Sequence, residues 1–153
     1  MIFLIISIVV PLLIYFLFPP FLAYLTGKQV RPSGLLLVAC FLYFISWYLP
    51  SPLIEGRNTS IMTHVVGGGL FCGFLWLDIK TTLGLKFNIW FEVITLFALV
   101  SAFGVANELF ELLIVQLKLV DLHLTDTSWD LVANTLGAVI FWVGYRLTRM
   151  GKK

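Results

Sequence analysis

The chain has 153 residues, of which 60% are hydrophobic and 12% charged, and its mean hydropathy is +1.01. This composition excludes a soluble domain and is typical of a multi-span membrane protein. The net charge of +2 comes without a lysine- and arginine-rich segment interleaved with aromatic residues, so we expect no nucleic-acid partner.

Five apolar runs approach the roughly 17–25 residues that a helix needs to cross the hydrocarbon core of a membrane. The first run contains Pro11 and the pair Pro19–Pro20, and because proline removes a backbone donor we expect a kink or an early end there. The predicted fold is a single all-α domain, a polytopic transmembrane helix bundle with spans at about residues 2–25, 33–49, 61–77, 88–107 and 129–147.

Lysines and arginines predict the orientation of these spans, because cytoplasmic loops carry an excess of them. If the N-terminus is outside and five spans are crossed, only Arg57 and Lys118 of the ten basic residues fall on the outer side. The sequence therefore predicts an N-out, C-in orientation. Separately, we expect the membrane to be the bacterial plasma membrane. The inner basic residues are Lys28, Arg31, Lys80, Lys86, Arg146, Arg149, Lys152 and Lys153.

The third run combines a histidine with closely spaced glycines. His64 precedes Gly67-Gly68-Gly69, and Gly73 follows at the G-x-x-x-G spacing that lets helices approach closely in lipid. At the inner end of this run, Asp78 and Lys80 are expected to form an interfacial pair.

The fourth run is interrupted by acidic residues. Glu108 and Glu111 follow Ser101 and Gly104 at three- and four-residue steps, so all four share one helix face. One helix from residue 88 to residue 120 would be about 50 Å long, too long for the core without strong tilt. Either the span ends near Glu108 and the remainder lies in the interface, which we favour, or the helix extends well beyond the membrane.

The fifth run opens with Thr127-Ser-Trp-Asp130, which fits a helix-capping pattern, so Asp130 could serve only backbone donors. Asn134 lies one turn further along, where a cap cannot explain it but an interhelical hydrogen bond can. Gly137 and Gly144 continue the same face.

Polar side chains from spans three, four and five are thus expected to meet in a cup at the outer end of the bundle. A charge at the bilayer centre costs roughly 2.5–3.5 kcal/mol, so retained carboxylates need a partner, a pocket or a role. The alternatives are structural: a packing histidine, a cap, an interhelical hydrogen bond, or solvated glutamates. The candidate catalytic residues are His64, Glu108, Asp130 and Asn134, the candidate substrate contacts are Glu111, Asp126 and Thr127, and the candidate metal ligands are Glu108 and Asp130.

The segments Asn107-Glu108-Leu-Phe-Glu111 and Asp126-Thr-Ser-Trp-Asp130-Leu-Val-Ala-Asn134-Thr-Leu-Gly137-Ala resemble VanZ-like small integral membrane proteins, the YjdF-like variant in particular. The resemblance implies that Glu108 or Glu111 matches the family glutamate, with Asp130, Asn134 and Gly137 in the following motif and His64 at an earlier histidine. It also implies a cell-envelope role of the glycopeptide-resistance type.

The chain departs from that pattern in the stretch between the glutamate and the aspartate, where many family members carry a glutamine and an arginine. No arginine occurs between Arg57 and Arg146 in this sequence. A divalent cation is therefore the favoured means of neutralising a phosphate in an acidic cup.

The resulting hypothesis is a membrane protein that binds, and as an enzyme would hydrolyse or transfer, a phospholipid or polyprenyl-linked head group. In that mechanism His64 or Glu108 is the general base, and Asp130 and Asn134 orient it or hold a divalent cation. The alternatives are a non-catalytic structural or lipid-binding subunit and, second, a small transporter.

Overall fold

The protein is described from a computed structural model covering residues 2–54, 57–119 and 127–151. The expected all-α class is confirmed, and the only extended pairing in the described residues is a two-residue antiparallel ladder, β1 (Leu53–Ile54) with β2 (Arg57–Asn58). The helices are α1 (Ile2–Thr26), α2 (Gly34–Ser46), a π-helical segment (Thr63–Leu70) that continues directly into α3 (Phe71–Thr82), α4 (Ile89–Gln116) and α5 (Thr127–Met150).

Three of these helices, α1, α4 and α5, are long and apolar enough to cross a membrane, and α2 is a shorter apolar helix of 13 residues. Their outward faces carry large apolar side chains such as Leu17, Ile94 and Leu136, each more than half exposed. Contiguous apolar surface of this extent is found where a protein meets lipid or a partner rather than water. The helices are those of a membrane protein.

The first helix continues through its prolines to Thr26, one residue beyond the predicted end of the first run at about residue 25. Of the two alternatives for the fourth run, the structure has the continuous one and not the favoured break near Glu108: α4 is one helix of 28 residues to Gln116, about 42 Å at 1.5 Å per residue. Continuity keeps Glu108 and Glu111 on the helix face that α4 turns toward the π segment and α5.

The π segment packs against α5 more extensively than any other two elements pack against each other, and glycines make that approach possible. A Cβ atom added to Gly69 would lie 2.5 Å from the Cα of Gly137, and one added to Gly137 would lie 2.9 Å from the Cα of Gly69. Real side chains never come so close to backbone. The predicted small-residue contact is confirmed for this pair, whereas Gly144 faces open space.

Ser33 links the start of α2 to α3. Its hydroxyl oxygen accepts hydrogen bonds from the backbone N–H groups of Leu35 and Leu36, each 3.1 Å long. The same hydroxyl donates to Asp78, whose carboxylate is 3% exposed. A single serine thus caps one helix and satisfies a buried carboxylate of another.

Replacing Ser33 with alanine is expected to lower the free energy of unfolding by about 1–2 kcal/mol, because both the cap and the bond to Asp78 are lost. Asn88→Ala is the comparison, since it removes the α4 cap, a single 2.9 Å bond to the N–H of Phe91, at an exposed position. Thermal unfolding in detergent measures both. Equal losses in the two variants would show that the Asp78 bond contributes nothing.

Candidate functional site

The π segment places His64 inside the bundle. A π-helix is rare and usually short, and it frequently occurs at functional sites. Here it runs for eight residues, Thr63–Leu70, through the glycine triplet. His64 is 8% exposed, and its Nε2 lies 3.2 Å from Oδ1 of Asp130.

The first turn of α5 supplies Asp130, which is 3% exposed. Besides the contact with His64, its Oδ1 accepts a 3.3 Å hydrogen bond from the hydroxyl of Ser60. The carboxylate therefore reaches across to the segment that carries His64, which a role confined to capping its own helix would not require.

From α4, Glu108 completes a three-residue group. His64, Glu108 and Asp130 each offer one possible metal-ligand atom, and these three atoms lie within 4.8 Å of one another. Oε1 of Glu108 is buried and has no hydrogen-bond partner among the residues that the structure describes. The imidazole and the two carboxylates, which we call the His64 cluster, come from three different helical segments.

Asn134 lies one turn along α5 from Asp130 and is 3% exposed. Its Oδ1 is also buried without a hydrogen-bond partner in the described part of the chain. Its side chain fits against Gly68 and Gly104, where a Cβ atom would meet the amide. Two buried acceptor oxygens without donors, one on Glu108 and one on Asn134, are costly unless a ligand satisfies them.

The structure describes two of the three predicted substrate contacts, Glu111 and Thr127. Glu111 accepts a 2.7 Å hydrogen bond from Nδ2 of Asn107 and lies within electrostatic range of all three members of the His64 cluster. Thr127 is half-buried as the first residue of α5. Asp126 lies outside the described residues.

The charge balance of this region favours a cation. Within the described ranges, neither Glu108 nor Glu111 forms an ion pair with a lysine or arginine. Imidazole and carboxylate groups are the ligands that zinc and manganese accept. Two ligand atoms each about 2.1 Å from an ion, at the tetrahedral angle, lie about 3.4 Å apart. The 3.2 Å between His64 and Asp130 is close to that separation.

At the opposite end of the bundle, the structure contains a second polar group that the sequence analysis missed. Glu92 is 1% exposed, and the ammonium group of Lys80 donates to its Oε1. Arg146 donates to its Oε2 over 3.3 Å. The available sequence signal was a lysine just after the third apolar run and a glutamate near the start of the fourth.

The expected pair of Asp78 with Lys80 is wrong, because helical geometry separates them. Residues two apart on a helix point in different directions. Asp78 accepts from Ser33, whereas Lys80 turns toward Glu92.

The comparisons with known proteins add no name to this geometry. No family model, no curated protein and no solved structure matches the chain. The resemblance to VanZ-like proteins therefore depends on the motif from Asn107 to Ala138 alone.

Proposed function

We propose that the chain is a VanZ-like integral membrane protein whose His64 cluster holds a divalent cation, and that this cation binds the phosphate of a lipid head group. The observation that carries the proposal is the convergence of an imidazole and two carboxylates from three helical segments within 4.8 Å. The lipid is a phospholipid or a polyprenyl-linked lipid of the cell envelope.

The proposed setting is a five-span, N-out, C-in arrangement in the bacterial plasma membrane. It is supported by the distribution of basic residues and by three helices long enough to span. In this orientation the His64 cluster lies in the outer leaflet. A head group would reach it from the membrane surface, at the end where α5 begins.

The cation is supported by the acidic character of the cluster. A phosphate approaching Glu108 and Asp130 alone would be repelled, and the chain offers no arginine between Arg57 and Arg146 to reverse this. His64, Glu108 and Asp130 would hold the cation, and Glu111 and Thr127 would contact the head group. A bound divalent ion polarises a phosphoryl oxygen and neutralises charge developed on it. A lipid head-group hydrolase or transferase is the enzyme class that fits.

The rival interpretation is a non-catalytic subunit whose polar groups only join helices. The contacts of Asp130 with Ser60 and His64 favour it, because they would hold α5 against the segment that carries those two residues without any ligand. The side-chain oxygens of Glu108 and Asn134 that no described residue satisfies argue against it, since a purely structural network gains from complete pairing. A small transporter, the second alternative, would need titratable groups along its path. The His64 cluster and the polar group around Glu92 lie at opposite ends of the bundle instead.

Metal content separates these interpretations. Protein purified in detergent, stripped with a chelator and then offered zinc or manganese is expected to retain about one ion per chain. Glu108→Gln and His64→Ala are each expected to weaken retention at least tenfold, because changing even the outer-shell partners of metal ligands costs roughly 10–100-fold in affinity. Elemental analysis after gel filtration gives the stoichiometry.

Glu111→Gln is the matched control, because it removes a carboxylate from the same face of α4, one turn beyond Glu108, without removing a member of the cluster. It should keep the ion while weakening head-group binding. Equal ion retention by the parent protein and Glu108→Gln, at equal folded yield, would leave only the structural interpretation.

A further inference from the structure

The Lys80 end of the bundle carries a surplus of positive charge that its own carboxylate does not balance. Glu92 is surrounded by Lys80, Arg146 and Arg149, with the Nη1 atoms of the arginines 3.3 and 4.0 Å from its oxygens. One buried carboxylate therefore faces three cations. Lys80 is buried, but the side chains of Arg146 and Arg149 remain 32% and 61% exposed.

Tyr145 supplies a further donor at the same place. Its hydroxyl oxygen accepts from Nζ of Lys80 over 3.0 Å and from Nη1 of Arg149 over 2.9 Å. Lysine and arginine can only donate, so the tyrosine oxygen is the acceptor in both bonds. The hydroxyl hydrogen is then left to donate, and no described residue accepts it.

We propose that this group, formed by Lys80, Glu92, Tyr145, Arg146 and Arg149, binds the phosphate of an anionic lipid in the leaflet opposite the His64 cluster. Two guanidinium groups and a hydroxyl hydrogen are all donors, and a phosphate is an acceptor with matching charge. Glu92 fixes the arginines in position, because it is fully buried and holds them from one side. The exposed side of Arg149 is where the phosphate binds.

The position along the bundle agrees with a lipid ligand. Arg146 and Arg149 lie in the last turns of α5, at the end where head groups would surround a spanning helix. Trp90, 75% exposed at the start of α4, lies at the same end, as aromatic side chains at an interface do. The inference uses the proposal that the chain spans a membrane, and it is independent of the cation at His64.

Titration of the detergent-purified protein with phosphatidic acid, phosphatidylcholine and inorganic phosphate, followed by native mass spectrometry, tests the inference. We expect phosphatidic acid to bind at least about tenfold more tightly than phosphatidylcholine. Arg149→Gln, at an exposed position, should weaken phosphatidic acid about tenfold, and Tyr145→Phe by a smaller factor. If inorganic phosphate binds as tightly as phosphatidic acid, the proposal of a lipid ligand is overturned and the ligand is a soluble phosphate.

Lys86→Gln is the control, because Lys86 is an exposed basic residue in the neighbouring α3–α4 loop and its loss changes net charge by the same unit. It should alter phosphatidic acid binding by less than about twofold. Equal weakening by Lys86→Gln and Arg149→Gln would reduce the effect to general charge attraction and overturn the site. If all these variants retain the metal at the His64 cluster, the lipid-phosphate site and the cation site are independent of each other.

Discussion

Removal of Glu92 is expected to produce the largest loss of stability of any single substitution in this chain. The Glu92→Ala variant leaves the ammonium group of Lys80, 7% exposed, without its carboxylate among apolar neighbours. Breaking a buried ion pair by removing one partner costs about 3–5 kcal/mol, because the remaining charge stays desolvated. Contacts of Lys80 with the faces of Trp76 and Tyr145, 4.8 and 5.2 Å from the ring centres, offset only part of this cost.

Thermal unfolding in detergent measures this loss, and labelling of the Cys72 thiol, which is fully buried in α3, reports whether the bundle opens locally. Glu111→Ala, a carboxylate lost from the other end of α4, should cost under about 1 kcal/mol. A double variant, Lys80→Met with Glu92→Leu, should recover most of the loss, because two apolar side chains leave no charge unpaired. A Glu92→Ala protein as stable as the parent would refute this account of the pair.

Substitution of either glycine at the contact between the π segment and α5 is expected to damage fold and site together. In Gly137→Ala the new methyl group would lie 2.9 Å from both the carbonyl carbon of Val65 and the Cα of Gly69. Backbone cannot rotate away as a side chain can, so the two helices must separate. Overpacking of this kind costs about 1–3 kcal/mol.

The separation would also carry Asp130 away from His64, so we expect Gly137→Ala to lose metal retention along with thermal stability. Gly144→Ala is the matched control on the same helix, because a Cβ there meets nothing within 4 Å. It should be neutral or slightly stabilising, since alanine favours helix by about 1 kcal/mol over glycine. Similar unfolding temperatures for the two variants would mean that the close approach is not needed.

Much of the candidate site could be predicted from spacing. His64, Glu108 and Asp130 are polar residues in or beside apolar runs, and the energetic cost of placing them in lipid is enough to suggest that they meet. Periodicity placed Asp130, Asn134 and Gly137 on one face of α5, and all three are buried there. The predicted bounds were close to the helix ends for α1, α2 and α5 but not for the end of α4, because local hydropathy changes at Glu108 whereas the helix continues.

The polar group around Glu92 could not be predicted in the same way. Lys80 and Glu92 are twelve residues apart, and Arg146 joins them from 54 residues beyond Glu92. The sequence analysis paired Lys80 with Asp78, which is nearer along the chain. Helical geometry turns those two side chains in different directions, so packing between α3, α4 and α5 chose the partners.

Composition and periodicity alone determined that this chain is helical, apolar enough for a membrane and rich in close-packing faces, because those properties depend on residues near one another in sequence. Only the tertiary structure decided the distances between the polar groups, since those depend on how closely the glycines let the π segment approach α5. The same approach leaves Oδ1 of Asn134 buried without a donor among the described residues. The cost of such an unpaired oxygen arises from packing, which no local pattern records.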